Sequence, residues 1–283
     1  MKKKTVISIM YDFDKTLSTR DMQEYTFIPG VGMEPAAFWK YSNELARQNN
    51  MDKILASMFA MLKKKEEAGE RIRRSELVEL GGGVEFYPGV ESWFERVNSF
   101  AESIGCTIEH YIISSGMKEI IEGTSISRFF KSIFASEFLY DENGYAVWPA
   151  NSVNYSAKTQ YLYRINKGLL DLSDDESLNN VMSEDARPMP FRNMIYIGDG
   201  LTDVPCMKLV KQNGGYSIAV YTDRMKAGKL ILDDRVNFIA RANYSESSEL
   251  QRLIEQIAET IRKSDVLVQY SRAQRGNSKA APQ

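Results

Sequence analysis

The stretch Ile9–Ser18, IMYDFDKTLS, is an apolar run that ends in two aspartates separated by one residue. Residues 5–11, TVISIMY, are β-branched and aromatic enough to predict a buried strand. Carboxylates at the edge of a core are costly unless they are paired, hydrogen-bonded or bound to a metal. Because alternate residues of an extended chain point the same way, the spacing predicts that Asp12 and Asp14 reach one site.

Three later runs also predict strands, namely TIEHYIISSG at 107–116, NMIYIG at 193–198 and YSIAVY at 216–221. The first of these ends in small hydroxylic residues and leads into a helical pattern, as strands do in an α/β fold with a parallel sheet. The segment DENG at 141–144 lies between apolar runs and predicts a β-hairpin. We therefore expect an α/β fold.

The chain between the first two predicted strands has a helical pattern of apolar residues. Helical periods continue from Ser18 to about Leu80, and GGGVEFYPGV at 81–90 then interrupts them. We expect a core formed by residues 1–18 and 84–268 and an all-helical insertion at 19–83. The acidic segment 171–185 is predicted to be a solvated insertion, and the polar tail 269–283 to be disordered.

Composition excludes several classes of function. The chain has 283 residues, 43% of them hydrophobic, with a net charge of -2, so no general electrostatic reason exists to bind nucleic acid or an anionic membrane. The apolar run near the amino terminus is too short for a signal peptide, and none approaches the roughly 18 residues of a membrane span. With Cys106 and Cys206 read as reduced thiols, we expect a cytoplasmic protein; the sequence does not predict its oligomeric state.

Four short segments follow predicted strands and carry the chemistry: DFDKT at 12–16, SSG at 114–116, Lys158, and GDGLTD at 198–203. In an open parallel sheet the ligand crevice lies at the carboxyl ends of the strands, so these segments should converge. Their residue types indicate phosphoryl transfer, in which one carboxylate attacks phosphorus and a second acid protonates the leaving oxygen. Asp12 is the better placed nucleophile and Asp14 the acid and base.

Repulsion is the obstacle to such a reaction. A carboxylate at about 4 Å from a phosphate dianion is opposed by roughly 8 kcal/mol at an effective dielectric of about 20. A divalent cation with a lysine would offset this, and Mg²⁺ suits an oxygen site of carboxylates. We expect Asp12 and Asp199 as ligands, Asp203 as a supporting carboxylate and Lys158 as the lysine.

Small residues near these carboxylates should bind the phosphoryl group. Hydroxyls of Thr16 and Ser114 can donate hydrogen bonds to its oxygens. We prefer Ser114 over Ser115, which then contributes mainly its backbone. Gly116, which has no side chain, lets the backbone approach the phosphoryl group or the metal closely.

In this order, DFDKT, ISSG, a lysine after the hairpin and GDGLTD resemble the four motifs of the haloacid dehalogenase-like hydrolase superfamily. The helical insertion, YPGV and the DENG hairpin resemble its phosphoserine phosphatase-like branch. The resemblance implies a Rossmann-like three-layer core with an inserted helical cap. It also implies that Asp14 binds the metal through its carbonyl, and that Asp199 and Asp203 complete the metal site.

Two further expectations concern the substrate. The resemblance implies that Asp21, nine residues after Asp12, recognises an ammonium group of the substrate. A solvent-exposed position at the start of a helix explains an aspartate here equally well. The arginine expected to bind a substrate carboxylate has several candidates: Arg47, Arg71, Arg73 and Arg74.

The sequence therefore predicts a Mg²⁺-dependent phosphatase that acts on a small phosphorylated metabolite through an aspartyl-phosphate on Asp12. A phosphomutase would retain every residue named above and stays open. A receiver-like phosphate-sensing module would not need a leaving-group acid, so Asp14 argues against it. His110, the only histidine, is expected to be structural.

Overall fold

A computed structural model describes residues 4–280, with side chains for 4–184 and 186–275. In this part of the chain one sheet has the strand order β4-β3-β2-β1-β5-β6-β7. Its strands are β1 (Thr5–Tyr11), β2 (Cys106–Met117), β3 (Phe130–Tyr140), β4 (Ala146–Asn151), β5 (Met194–Gly198), β6 (Tyr216–Tyr221) and β7 (Phe238–Arg241). All neighbours pair in parallel except β3 and β4, which form the predicted antiparallel hairpin.

Helices connect these strands. They are α1 (Phe27–Gly30), α2 (Pro35–Asn49), α3 (Lys53–Glu67), α4 (Arg74–Leu80), α5 (Val90–Ser103), α6 (Lys118–Glu122), α7 (Lys158–Lys167), α8 (Asp175–Asn179), α9 (Val204–Gln212), α10 (Arg224–Leu232) and α11 (Glu249–Ala280).

The central strand β1 supplies both faces of the sheet, as a period of two requires. Ile7, Ile9 and Tyr11 are buried in one apolar cluster, which includes side chains of α5 and α11. Met10 is buried in the other, which includes side chains of α7, α9 and α10. Helices therefore cover the sheet on both faces, and the predicted α/β, Rossmann-like core of three layers is confirmed.

Helices α1 to α4 all lie between β1 and α5, within the range predicted to be a helical insertion. The chain enters and leaves this segment through two adjacent linkers. Thr19 N donates to Glu85 O at 2.9 Å, and Tyr87 N donates to Leu17 O at 2.9 Å. The helical segment 19–83 thus begins and ends side by side just beyond Asp12, and its far end also bonds to the hairpin, where Ala146 N donates to Ile72 O at 2.9 Å.

Two regions differ from simple expectations. Helix α11 continues to Ala280, so residues 269–280, predicted to be disordered, are helical, and 281–283 lie outside the described residues. Within the acidic segment 171–185, the side chain of Asp174 accepts from Ser177 N at 2.9 Å and begins the short helix α8. Local capping gives this exposed segment some structure although it buries little apolar surface.

His110 lies inside the core, between the hydroxyl of Tyr11 at 3.1 Å and Oδ1 of Asn98 at 3.0 Å. Burial lowers its pKa to about 3, so the imidazole is neutral near pH 7. Cys106 and Cys206 are both buried free thiols. Within residues 4–280, no helix is long and apolar enough to cross a membrane.

Candidate active site

The structure brings Asp12, Lys158 and Asp203 together at the carboxyl end of the sheet. Asp12 follows β1 directly, and its backbone N donates to Ile197 O of β5 at 2.9 Å. Lys158, the first residue of α7, is 1% exposed and donates to Oδ1 of Asp12 and to Oδ1 of Asp203, each at 2.8 Å. Residues far apart in sequence thus form one charged cluster, as the motif order predicted.

Tyr196 belongs to the same cluster and was missed by sequence reasoning. It lies on β5, and its hydroxyl donates to Oδ1 of Asp203 at 2.8 Å. The sequence signal was weak because a tyrosine in an apolar strand is usually an ordinary core residue. A fully buried tyrosine hydroxyl nevertheless needs a partner, which hints at a polar group beyond the strand end.

Three carboxylates offer oxygen atoms that all lie within 4.8 Å of one another: Asp12, Asp199 and Asp203. Oδ2 of Asp203 is buried and has no hydrogen-bond partner among the described residues. A Cβ on Gly198 would lie 2.6 Å from that same oxygen, so the chain can pass there only as glycine. An orphaned oxygen beside two further carboxylates fits a divalent cation that prefers oxygen ligands.

The pKa shifts of the clustered side chains also favour a bound cation. Burial and the charge of Asp203 raise the pKa of Asp12 to about 8, against the opposing effect of Lys158. Burial and Asp203 also raise the pKa of Asp199 to about 6. Burial alone would lower the pKa of Lys158, but Asp12 and Asp203 raise it above its ordinary value. The cluster has more negative than positive charge and would be stabilised by a bound cation.

Asp14 faces the same crevice from a different direction. Its Oδ1 accepts a hydrogen bond from Met22 N at 2.8 Å, at the start of the helical segment. Burial, followed by the charges of Asp21 and Asp12, raises its pKa well above the ordinary value. A Cβ on Gly116 would lie 3.0 Å from Oδ2 of Asp14 and 2.1 Å from the Met22 methyl carbon, so any larger residue there would displace the Met22 side chain.

The expected phosphate-binding hydroxyls differ in their surroundings. Oγ1 of Thr16 and Oγ of Ser115 are buried and have no partner among the described residues. Oγ of Ser114 instead accepts from Gly116 N at 3.0 Å. Ser115 and Gly116 line the cavity, while Ser114 does not. The β2–β3 register shifts between Ile113 and Met117, so simple strand alternation does not decide which serine faces the crevice.

A cavity of about 370 Å³ lies over this cluster. The core contributes its floor, including Asp12, Asp14, Lys158 and Asp199. The helical segment contributes a facing wall that includes Gln23, Trp39, Ser42, Lys53, Ser57 and Met58. A small molecule placed on Asp12 would therefore contact residues of 19–83.

Of the residues expected to recognise the substrate, the structure places only Asp21 at the cavity. Asp21 lines the cavity, but its Oδ2 already binds the ammonium of Lys15 at 2.5 Å. None of the candidate arginines lines the cavity. Arg71 pairs with Asp141, Arg73 binds the hydroxyl of Tyr145 and Arg74 pairs with Glu122, while Arg47 is exposed on α2. Lys53 is the cation on this wall, and no motif predicted it.

Comparisons with known proteins agree with this geometry. A family model described as haloacid dehalogenase-like hydrolase matches residues 9–208, which include every residue of the cluster. A protein of Borreliella burgdorferi described as uncharacterized is 26% identical over 281 residues, covering 89% of this chain and 96% of its own length.

Solved structures share the fold. A HAD family hydrolase from Salmonella enterica serovar Typhi has a TM-score of 0.57 at 14% identity, covering 88% of this chain and 74% of its own. A phosphoserine phosphatase solved as a phospho-aspartyl intermediate analogue has a TM-score of 0.56 at 14% identity, covering 90% of this chain and 99% of its own. At this identity the likeness concerns the fold.

Proposed function

The chain belongs to the haloacid dehalogenase-like hydrolase family, and we propose that it is a Mg²⁺-dependent phosphatase that hydrolyses a small phosphomonoester through an aspartyl-phosphate on Asp12. The observation that carries the proposal is the Lys158 ammonium, which bridges Asp12 and Asp203 at 2.8 Å each beside the unpartnered Oδ2 of Asp203. This arrangement suits a nucleophile that must meet an anionic substrate.

Asp12 would attack phosphorus with a carboxylate oxygen, and the bond from phosphorus to the leaving oxygen would break. The lysine ammonium reduces the repulsion between this carboxylate and the phosphoryl oxygens. Asp12, Asp199 and Asp203 would hold the Mg²⁺, with the backbone carbonyl of Asp14 as a further ligand. The cation supplies positive charge opposite the phosphoryl oxygens.

Asp14 would act as general acid and then as general base. Its raised pKa keeps a proton available to the leaving oxygen in the first step. Once ionised, the same carboxylate can take a proton from the water that attacks the aspartyl-phosphate. The hydrogen bond from Met22 N to Oδ1 holds the carboxyl group in place and leaves Oδ2 for this proton transfer.

The phosphoryl oxygens would be bound by hydroxyl and backbone donors. Thr16 and Ser115 have buried hydroxyls without partners, which gives them free donors for an anion. Ser114 would act through the turn, since its hydroxyl accepts from the backbone N of Gly116. Gly116 would let the phosphoryl group approach closely, and Asp21 would stay at the mouth of the cavity in its pair with Lys15.

We further propose that the helical segment 19–83 is a cap over this cavity. Its two linkers lie side by side at Thr19 and Glu85, and opening it would also break the bonds that join Asp52 to Asn154 and Ile72 to Ala146. A closed cap would exclude bulk water from the aspartyl-phosphate until the leaving group departs.

The decisive experiment measures phosphate release from small phosphomonoesters with and without Mg²⁺, for the wild type, for Asp12→Asn and for Asp233→Asn. Asp233 is an exposed aspartate outside the cavity and serves as the matched control. We expect metal-dependent release in the wild type and the control and none in Asp12→Asn. Absence of release by the wild type from every ester would contradict the phosphatase proposal, and transfer to an added sugar would identify a mutase.

A further inference from the structure

Three polar side chains on the cavity wall lack protein partners. Gln23, Ser42 and Ser57 are only 5%, 4% and 9% exposed, and all three line the cavity. None makes a side-chain hydrogen bond to another described residue, although helical serines often bond to the preceding turn. Their polar atoms keep some accessible surface, and since the three side chains line the cavity, that surface lies where water or a ligand can bind it.

The wall also carries one cation that is not committed to a protein carboxylate. Lys53 lines the cavity and forms no ion pair within the described part of the chain. The other two lysines that line the cavity are engaged: Lys15 by Asp21 and Lys158 by Asp12 and Asp203. Lys53 thus adds positive charge away from the phosphoryl cluster.

The local structure fixes the backbone at Lys53, whose side chain is exposed at the cavity. Asp52 caps α3 by accepting from Ile54 N at 2.9 Å and from Leu55 N at 3.1 Å. Its Oδ2 also accepts from Asn154 Nδ2 at 2.9 Å, which joins α3 to the segment that leads into Lys158. The first turn of α3 is therefore fixed relative to the catalytic floor.

The wall has an apolar part as well. Trp39 lines the cavity, and its Nε1 donates to Oε1 of Glu24 at 2.6 Å, which fixes the ring. Met58 lies on the same wall. A ligand that matches this surface has C–H faces together with several hydroxyl groups.

We propose, on the premise of the phosphatase function above, that the leaving group is a small polyhydroxylated molecule carrying a second anionic group. Gln23, Ser42 and Ser57 would bind its hydroxyls, and Lys53 its second anion. That anion is a carboxylate or a second phosphate, as in a phosphorylated sugar acid or a sugar bisphosphate. An ammonium-bearing leaving group is disfavoured because the Asp21 carboxylate already binds Lys15.

The test compares kcat/KM for four esters: 6-phosphogluconate, fructose 1,6-bisphosphate, glucose 6-phosphate and phosphoserine. We expect one of the two doubly anionic sugars to exceed both glucose 6-phosphate and phosphoserine by about two- to fivefold, as a charged contact with the exposed ammonium of Lys53 should give. The better of the two identifies the second anion. Equal rates for all four esters, or a preference for phosphoserine, would overturn the inference.

Variants assign the preference to residues. In Lys53→Met the ratio of kcat/KM for the preferred ester over glucose 6-phosphate should fall about two- to fivefold, mainly through KM. Lys63→Met, on the same helix but outside the cavity and paired with Glu66, should leave the ratio unchanged. Ser42→Ala and Ser57→Ala should raise KM for both sugar phosphates. A ratio unaffected by Lys53→Met would contradict the role of Lys53.

Two further measurements separate this inference from the proposed function. Hydrolysis of p-nitrophenyl phosphate reports the phosphatase reaction without a polyhydroxylated leaving group. If that ester is hydrolysed while the sugar phosphates show no preference, only the inference fails. If neither this ester nor any of the four others is hydrolysed, the phosphatase proposal fails. Calorimetric binding of the preferred ester to Asp12→Asn, weakened by adding Lys53→Met, supports the subsite without turnover, and binding insensitive to Lys53 overturns it.

Discussion

Lys158 shows how charge is balanced in this cavity. One ammonium donates to two carboxylates, Asp12 and Asp203, and all three side chains are buried. One positive charge for two negative charges leaves an excess that a buried site tolerates poorly. Burial and then the charge of Asp203 raise the pKa of Asp12, and a proton or a bound cation would remove the excess negative charge. The site is therefore suited to take up a cation and an anion together.

Asp14→Asn tests the acid and base role directly. The variant keeps an oxygen for Met22 N but cannot transfer a proton, so kcat for an alkyl phosphomonoester should fall about 10²–10⁴-fold. p-Nitrophenyl phosphate has a leaving group that is stable as an anion, so the first step should survive. Rapid-mixing measurements should then show a burst of p-nitrophenol followed by slow turnover. Loss of the burst would contradict the assignment.

Tyr196→Phe tests the residue that the motifs did not reveal. Removing the hydroxyl takes one hydrogen bond from Oδ1 of Asp203 and leaves that carboxylate less firmly oriented. We expect the Mg²⁺ concentration for half-maximal activity to rise about tenfold, with kcat at saturating metal little changed. Tyr161→Phe is the matched control, since this buried tyrosine bonds to Asn151 instead. An unchanged metal requirement in Tyr196→Phe would exclude the positioning role.

Helix α3 connects the cap segment to the core through its first turn. Asp52→Ala removes the cap of α3 and the bond to Asn154, so the free energy of unfolding should fall by about 1–2 kcal/mol. Because Lys53 and Ser57 lie on this helix, KM should rise as well. Asp223→Ala removes the cap of α10, which lies outside the cavity.

Urea denaturation and steady-state kinetics of both variants provide the check. We expect both variants to be less stable than the wild type, but only Asp52→Ala to have a raised KM. If KM is equal in the two variants, the first turn of α3 does not position substrate-binding groups.

Strands and hairpin were predictable because their signals are local. The β1 run, the DENG hairpin and YSIAVY were all confirmed as elements of the sheet. The helical cavity wall was not predictable. A polar residue such as Ser42 that faces a cavity has the same periodicity as one that faces solvent, and only the packing of α2 on α3 decides which it is.

The convergence of Asp12 and Asp203 was predictable for a different reason. Carboxyl ends of the parallel strands β1 and β5 meet at one edge, so topology alone brings these two residues together. Lys158 follows β4, which is antiparallel to β3, and the hairpin returns the chain to this edge because Asn151 pairs with Glu137, the residue after the last parallel pair of β3. The details at that edge depend on irregular backbone. The register shift after Ile113 affects which of Ser114 and Ser115 faces the cavity, and strand alternation carries no information about it.

The pH dependence of stability should reveal the charged cluster in the intact protein. A carboxyl group whose pKa is raised in the folded state binds more protons there than in the unfolded chain, so its contribution to stability falls as pH rises between the two pKa values. For Asp12 this window runs from about 4 to about 8. His110 has a lowered pKa of about 3 and acts oppositely, but only below about 6.5.

Between pH 6.5 and 8 His110 no longer contributes, and the slope comes from Asp12 together with Asp14, whose pKa burial also raises. In EDTA the melting temperature should fall as pH rises through this interval, and Asp12→Asn should reduce the slope. Mg²⁺ should raise the melting temperature more at pH 8 than at pH 6, since binding requires the ionised carboxylates of Asp12 and Asp199. A metal effect that is independent of pH, or a slope undiminished in Asp12→Asn, would show that Asp12 does not control the linkage.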